Sequence, residues 1–250
     1  MLLYAGRGIP LVLPPEDTDA LADWLEAEYP DEFCASTSFA PEFVDSLCAS
    51  GFIPMATGDG NGGEFLIPKL HMLRSVADPQ KVAVTRTARK ASSRYRLSVD
   101  ERFGEVLDAC VATHGDDWLR PPLRECWLRL HDGAGPWRSR FASMELYAED
   151  GSLAAGEIGV FAGSCYTSLT GFRRLSGSGT VQLAATARYL EASGVTLWDL
   201  GMPLDYKETL GAHNVSRGEF LALFRAARDL VPRLASGPFP ARALVDRAIA

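Results

Sequence analysis

The chain has 250 residues, 47% of them hydrophobic and 23% charged, with a formal net charge of −7. That composition excludes a disordered or fibrous chain and is enough for a sizeable core. The acidic balance excludes a nonspecific nucleic-acid coat, though a local basic patch able to grip one short piece of nucleic acid remains compatible with it.

Residues 1–15 read as a strand and a turn, too short and too early broken by proline to span a membrane. They carry no signal-peptide cleavage pattern, so a cytoplasmic location is expected. Glu16 to Tyr29 puts Leu21, Trp24 and Leu25 on one face, an amphipathic helix ended by Pro30. A second helix is expected from Pro41 to Gly51, then a Gly/Asn/Asp loop from Gly58 to Gly63 and a buried strand in the segment EFLIPKLHML.

Lys81 to Arg96 follows, with Lys81, Arg86, Arg89, Lys90, Arg94 and Arg96 and no acid among them. A solvated edge accounts for such a run, and so does a phosphate-facing surface, because Lys and Arg supply the sequence-independent part of nucleic-acid affinity. Ser98 with Glu101 forms a capping-box pattern that predicts a helix, with Phe103, Val106, Leu107, Cys110 and Val111 as its apolar stripe. Another helix is expected from about Pro122 to His131. Trp118, in the loop between them, serves either as packing or as a flat face on which a base stacks.

Phe141 to Tyr147, Leu153 to Phe161 and Cys165 to Phe172 read as an antiparallel meander. A Gly/Ser loop, a helix over VQLAATARYLEASG, and the strand Thr196 to Leu200 complete a β-β-β-α-β order, which predicts an α+β fold. Arg174-x-x-Gly177-x-Gly179 precedes that helix, and small residues there leave backbone N–H groups free to face an anion. A closing helix over Ser216 to Asp229 and a helical tail in 237–250 end the chain. The odd set Cys34, Cys48, Cys110, Cys126 and Cys165 lacks C-x-x-C spacing, so buried free thiols are expected. The four histidines make no ligand pair, and no metal site is expected.

Gly51-Phe-Ile-Pro54-Met55, Arg94-Tyr95-Arg96, Ser143-Met-Glu145-Leu-Tyr147, Gly156-x-Ile158-Gly159-Val160, Phe172-x-Arg174, Asp199 and Leu210-Gly211-Ala212 follow one another in order. With the strings around them they resemble the leucyl/phenylalanyl-tRNA–protein transferases from about Phe33 to Phe224. The resemblance implies a GNAT-like antiparallel or mixed sheet with flanking helices over 64–250 and a small N-terminal α/β lobe over 1–63. It also implies an enzyme that moves an aminoacyl group from the 3′ end of a charged tRNA to an amine, the N-terminus of a protein or peptide or a small-molecule amine, without a cofactor and as a monomer.

Under that resemblance Arg86, Arg89, Lys90, Arg94 and Arg174 hold the tRNA and Trp118 packs on the terminal adenosine. Met55, Tyr166, Leu169 and Gly201 line the substrate pocket. Leu169 and Gly201 stand where the family carries a glutamate and a glutamine, Met55 where it has a tryptophan, and Glu157 where it has a pocket methionine. Asp199 and Glu157 are therefore the expected catalytic carboxylates under the resemblance, Asp199 at a strand end and Glu157 as a carboxylate on the neighbouring strand, placed to accept the amine's proton or to pair with a basic substrate group. For Glu157 a place on a solvent-facing side of the sheet is the competing expectation. An acyl-CoA-dependent N-acyltransferase, from the Arg174-x-x-Gly177-x-Gly179 string, and a non-catalytic tRNA-binding relative are the alternatives.

Overall fold

A computed structural model of the chain describes residues 3–5, 8–14 and 16–246. It opens on a hairpin, β1 (Leu3–Ala5) against β2 (Ile9–Leu11). Asp17 then starts α1 (Thr18–Glu28) by accepting from the N–H groups of Asp19 and Ala20. α2 (Pro41–Cys48) places proline in its first turn, where the missing N–H has no partner to lose. β3 (Ile53–Gly58) and β4 (Glu64–Lys69) form an antiparallel hairpin whose turn is the Gly-rich loop. The boundary expected at residue 63 falls inside that turn, between hydrogen-bonded strands. The single strand expected through residue 73 is two: β5 (Leu73–Ala77) joins a different sheet.

The basic run folds as α3 (Arg86–Ala91) and leads into β6 (Tyr95–Val99). Here the capping-box expectation fails. Ser98 is a strand residue paired with Glu145, and α4 (Phe103–His114) begins after it. The ladder wins over the local pattern because the Glu145 carboxylate accepts the N–H groups of Glu101 and Arg102 and so caps the turn from another strand. α5 (Pro121–His131) follows.

The meander is β7 (Arg140–Ala148), β8 (Leu153–Ala162) and β9 (Cys165–Arg173), then α6 (Ser178–Ala192) and β10 (Leu197–Asp199). α7 (Asp205–Glu208), β11 (His213–Ser216), α8 (Arg217–Arg228), β12 (Phe239–Pro240) and α9 (Ala241–Val245) complete the order. A capping box does occur, at Ser216 and Glu219 on α8. Residues 247–250 of the expected helical tail lie outside the described residues.

The main sheet has eight strands in the order β11-β5-β10-β9-β8-β7-β6-β12, and β10 lies parallel to β9 while its other pairings are antiparallel. The fold is α+β. One apolar cluster joins α1, α2, α4, α5 and α8 to residues such as Ile158 and Val160. A second joins α6 and α9 to Ala155, Leu97 and Met144. Every residue of β8 is buried, as expected for a strand covered on both faces. The solvent-facing position considered for Glu157 is therefore overturned: α6 covers the face that Ala155, Glu157 and Gly159 share. Among the described residues no helix is long and apolar enough to cross a membrane, and all five cysteines are free and buried.

Candidate active site

The site begins where two parallel strands part. β10 pairs with β9 at Leu197–Cys165, Trp198–Tyr166 and Asp199–Thr167, and then ends. From Ser168 onward that edge of β9 has no strand beside it among the described residues. A bulge at the same level, between Ile158 and Gly159 of β8, leaves Leu169 as an extra residue in β9. The gap becomes a cavity of about 920 Å³. β9 contributes Ser168 to Arg173, the first turns of α6 contribute Gly179, Thr180, Gln182 and Leu183, and the stretch after β10 contributes Leu200 to Lys207. Met55 and Lys69 of the β3–β4 hairpin, His71 in the link from β4 to β5, and Trp118 in the loop after α4 also line it.

Glu157 lies on this cavity although it is only 5% exposed. Its neighbour across the strand pair is Gly171, and a Cβ there would sit 3.1 Å from the Cβ of Glu157 and 3.0 Å from the carbonyl of Gly156. Both residues line the cavity, and β9 places no side chain beside the stem of Glu157. The Tyr166 hydroxyl donates to Oε1 at 3.1 Å, and the Ser168 hydroxyl reaches Oε1 at 3.4 Å and Oε2 at 3.5 Å. Trp198 Nε1 donates in turn to Ser168 Oγ at 2.9 Å. Burial pushes the carboxyl from its ordinary 4.5 up to about 7, opposed by hydrogen bonds from Tyr166, Gln182 and Ser168.

Asp199 is placed differently from expectation. It is fully buried and does not line the cavity. Oδ1 lies 3.2 Å from Arg74 Nε and accepts the Gly201 N–H at 2.9 Å, and Oδ2 accepts the Thr167 hydroxyl at 2.9 Å. Arg74 is itself sealed, with its guanidinium 4.2 Å over the Phe220 ring. Such a carboxylate holds a loop in shape. The loop is the one that turns at Gly201, where φ is +74 and a residue with a Cβ would be strained.

The other expected pocket residues divide. Met55, Trp118, Leu169 and Gly201 line the cavity, and the Trp118 ring packs 6.0 Å from Trp127. Tyr166 does not; it is buried beneath Glu157, against Phe161. None of Arg86, Arg89, Lys90, Arg94 and Arg174 is a lining residue. Arg86, Lys90, Arg94 and Arg174 are exposed, whereas Arg89 is half-buried and pairs with Asp246 of the segment after α9 at 2.9 Å. The pairs Tyr95–Ala148, Leu146–Ala155 and Ala155–Arg173 put Arg94 at the same end of the sheet as Arg173. That is the end where α6 begins, and α3 packs on α6.

Sequence reasoning missed several lining groups. Arg173 lines the cavity and its neighbour Arg174 does not, a difference that strand alternation alone would have signalled. Gln182 had a signal too, as a polar residue on the apolar face of α6. Lys207 had none. Its ammonium donates to the carbonyls of Leu200 and Met202, and burial holds it from 10.5 down to about 8. His71 is buried 3.4 Å from Glu32, and burial, with the charges of Arg74 and Lys69, keeps its imidazole neutral to about pH 3. Among the described residues no group of His, Cys, Asp and Glu could hold a metal ion.

Residues 76–225 match the family model described as leucyl/phenylalanyl-tRNA protein transferase. Curated proteins named leucyl/phenylalanyl-tRNA–protein transferase are similar over much of the chain. One from Azoarcus sp. (strain BH72) is 30% identical over 154 residues, 60% of this chain and 63% of that protein. One from Pseudomonas fluorescens (strain SBW25) is 28% identical over 62% of this chain and 69% of its own. One from Jannaschia sp. (strain CCS1) is 28% identical over 76% of this chain and 86% of its own. The match to the Azoarcus protein thus spans a little under two thirds of that relative's length.

Proposed function

Because the chain belongs to the leucyl/phenylalanyl-tRNA–protein transferase family, we propose that it moves an aminoacyl group from aminoacyl-tRNA to an amine, forming an amide. The observation that carries this reading is the family match over residues 76–225, which include most of the residues lining the cavity, whose lining cations are Lys69, Arg173 and Lys207. Those charges and the free N–H groups at the start of α6 suit the phosphates of a tRNA 3′ end. Arg86, Lys90, Arg94 and Arg174 extend the same positive character outward, toward the acceptor stem. Trp118 offers the terminal adenine an indole face.

The chemistry demands little. Aminolysis of an activated ester needs a neutral amine, alignment with the carbonyl carbon, and a place for the proton. The amine nitrogen bonds to the ester carbonyl carbon, the bond to the ribose oxygen breaks, and the amine's proton is lost as the ribose hydroxyl is restored. Asp199 acts at one remove: it fixes Gly201 and with it the stretch that forms one wall. Lys207, buried and lowered to about 8, is a lining group able to exchange a proton near neutral pH. The acceptor is the N-terminus of a peptide or a small amine, and the enzyme acts in the cytoplasm without a cofactor.

The test is incubation of the folded protein with a mixture of charged tRNAs, following tRNA deacylation coupled to an amide product. No consumption of any charged tRNA sinks the reading. A second reading is favoured by one observation, that Gly179, which ends the Arg174-x-x-Gly177-x-Gly179 string, and Thr180 after it line the cavity in the first turn of α6: an acyl-CoA donor with its pyrophosphate there. Thermal stabilisation by coenzyme A and not by tRNA would select it.

A further inference from the structure

Glu157 is, among the described residues, the one carboxylate that lines the cavity, and it is nearly enclosed. Each of its hydrogen-bond partners, Tyr166, Ser168 and Gln182, is neutral, and no cation figures among the causes that set its ionisation. A buried carboxylate without a counter-ion is unfavourable unless something else needs it ionised. The lining cations do not meet that need. Lys69 is paired with Glu32 at 3.1 Å, Lys207 is held by two carbonyls, and Arg173 is exposed. The cavity is therefore polarised, with positive groups around it and one negative group set into the sheet.

Beyond those polar partners, apolar side chains line much of the cavity that Glu157 reaches. Met55, Trp118, Leu169, Phe172 and Leu183 line the same cavity, as does Gly171, which places no side chain beside the Cβ of Glu157. An aliphatic chain with a cation at its tip matches such surroundings, because the stem is buried on carbon and the charge meets the carboxylate. A bare α-ammonium has no stem with which to reach a group only 5% exposed. We propose that the aminoacyl group taken into this cavity carries a cationic side chain, an ammonium or guanidinium on an aliphatic stem, for which Glu157 is the counter-ion. The proposal rests on the aminoacyl-transfer reading and names its donor class.

The experiment uses the full chain and 3′-amide-linked lysyl-, arginyl- and leucyl-adenosine, in which nitrogen replaces the ester oxygen so that binding is read without transfer. Calorimetry should show the lysyl and arginyl compounds binding at least tenfold tighter than the leucyl compound. Glu157→Gln, which keeps an acceptor for Tyr166 and Ser168, should equalise the three, and Glu157→Leu should reverse the order. Leucyl-adenosine binding the wild type as tightly as lysyl-adenosine overturns the proposal while leaving aminoacyl transfer intact. So does a Glu157→Gln variant that keeps the preference, or one that slows turnover of every donor equally without changing affinity, since that is the behaviour of a proton acceptor. n-Butylguanidinium serves as a nucleotide-free probe. If it binds in a Glu157-dependent way while no aminoacyl-adenosine binds, the cation subsite stands and the transfer reading falls.

Discussion

Two acidic residues illustrate how burial divides the same chemistry. Asp199 is ringed by Arg74, Thr167 and the Gly201 N–H, so its charge is matched. Asp199→Asn leaves the Arg74 guanidinium buried without its counter-ion, and denaturant titration should show a loss of about 3 kcal/mol. Glu157 has no such match. Its carboxyl is raised from 4.5 to about 7, so the folded state holds the proton more tightly than the unfolded chain. The stabilisation from that site is complete below 4.5 and is lost as pH rises through about 7. Glu157→Gln removes the dependence. Melting curves at pH 5 and 8 should show the variant gaining on the wild type at pH 8, by up to about 3 kcal/mol.

The elements around the site are fixed by small residues where strands and helices approach. At Gly159 a Cβ would lie 2.3 Å from the Tyr166 ring, the group that carries the hydroxyl donated to Glu157. Gly159→Ala should cost about 2 kcal/mol in thermal unfolding and weaken the hold on Glu157. Gly177 caps α6 with φ +78 and open space around it, so the strain there is backbone alone. Gly177→Ala should cost about 1 kcal/mol, read by the same melts, and its effect on donor binding should exceed its effect on stability if the α6 N-terminus meets the phosphates.

For the whole molecule the informative quantity is where charge sits. A chain of net charge −7 exposes Arg94, Arg173 and Arg174 at the sheet end from which α6 starts, and Arg86 and Lys90 on α3, which packs on α6. If that surface carries the tRNA, replacing Arg86, Lys90 and Arg94 together by Gln should weaken tRNA binding. The slope of log affinity against log salt should then fall by about 0.7 to 1 per residue. Filter binding at several salt concentrations reads both. Arg89 should matter less, since Asp246 already engages it.

The meander of β7, β8 and β9, the helix α6 and the α+β class were legible because alternation and helical spacing are local properties of sequence. Free buried thiols were legible for a similar reason, from apolar neighbours. The family string was legible because short motifs keep their order even when single residues change. What the sequence could not decide was which polar residue meets the cavity. Ser98 and Glu101 carry a capping pattern, yet strand pairing with Glu145 overrides it. Asp199 and Glu157 are both acids on strands of one sheet, yet Arg74 pairs with the first and the second meets the cavity beside Gly171. Arg74, Lys207 and Gly171 come from segments far apart in the chain. Burial and charge pairing depend on what the fold brings alongside, so local pattern settled the elements and only the assembled sheet settled the site.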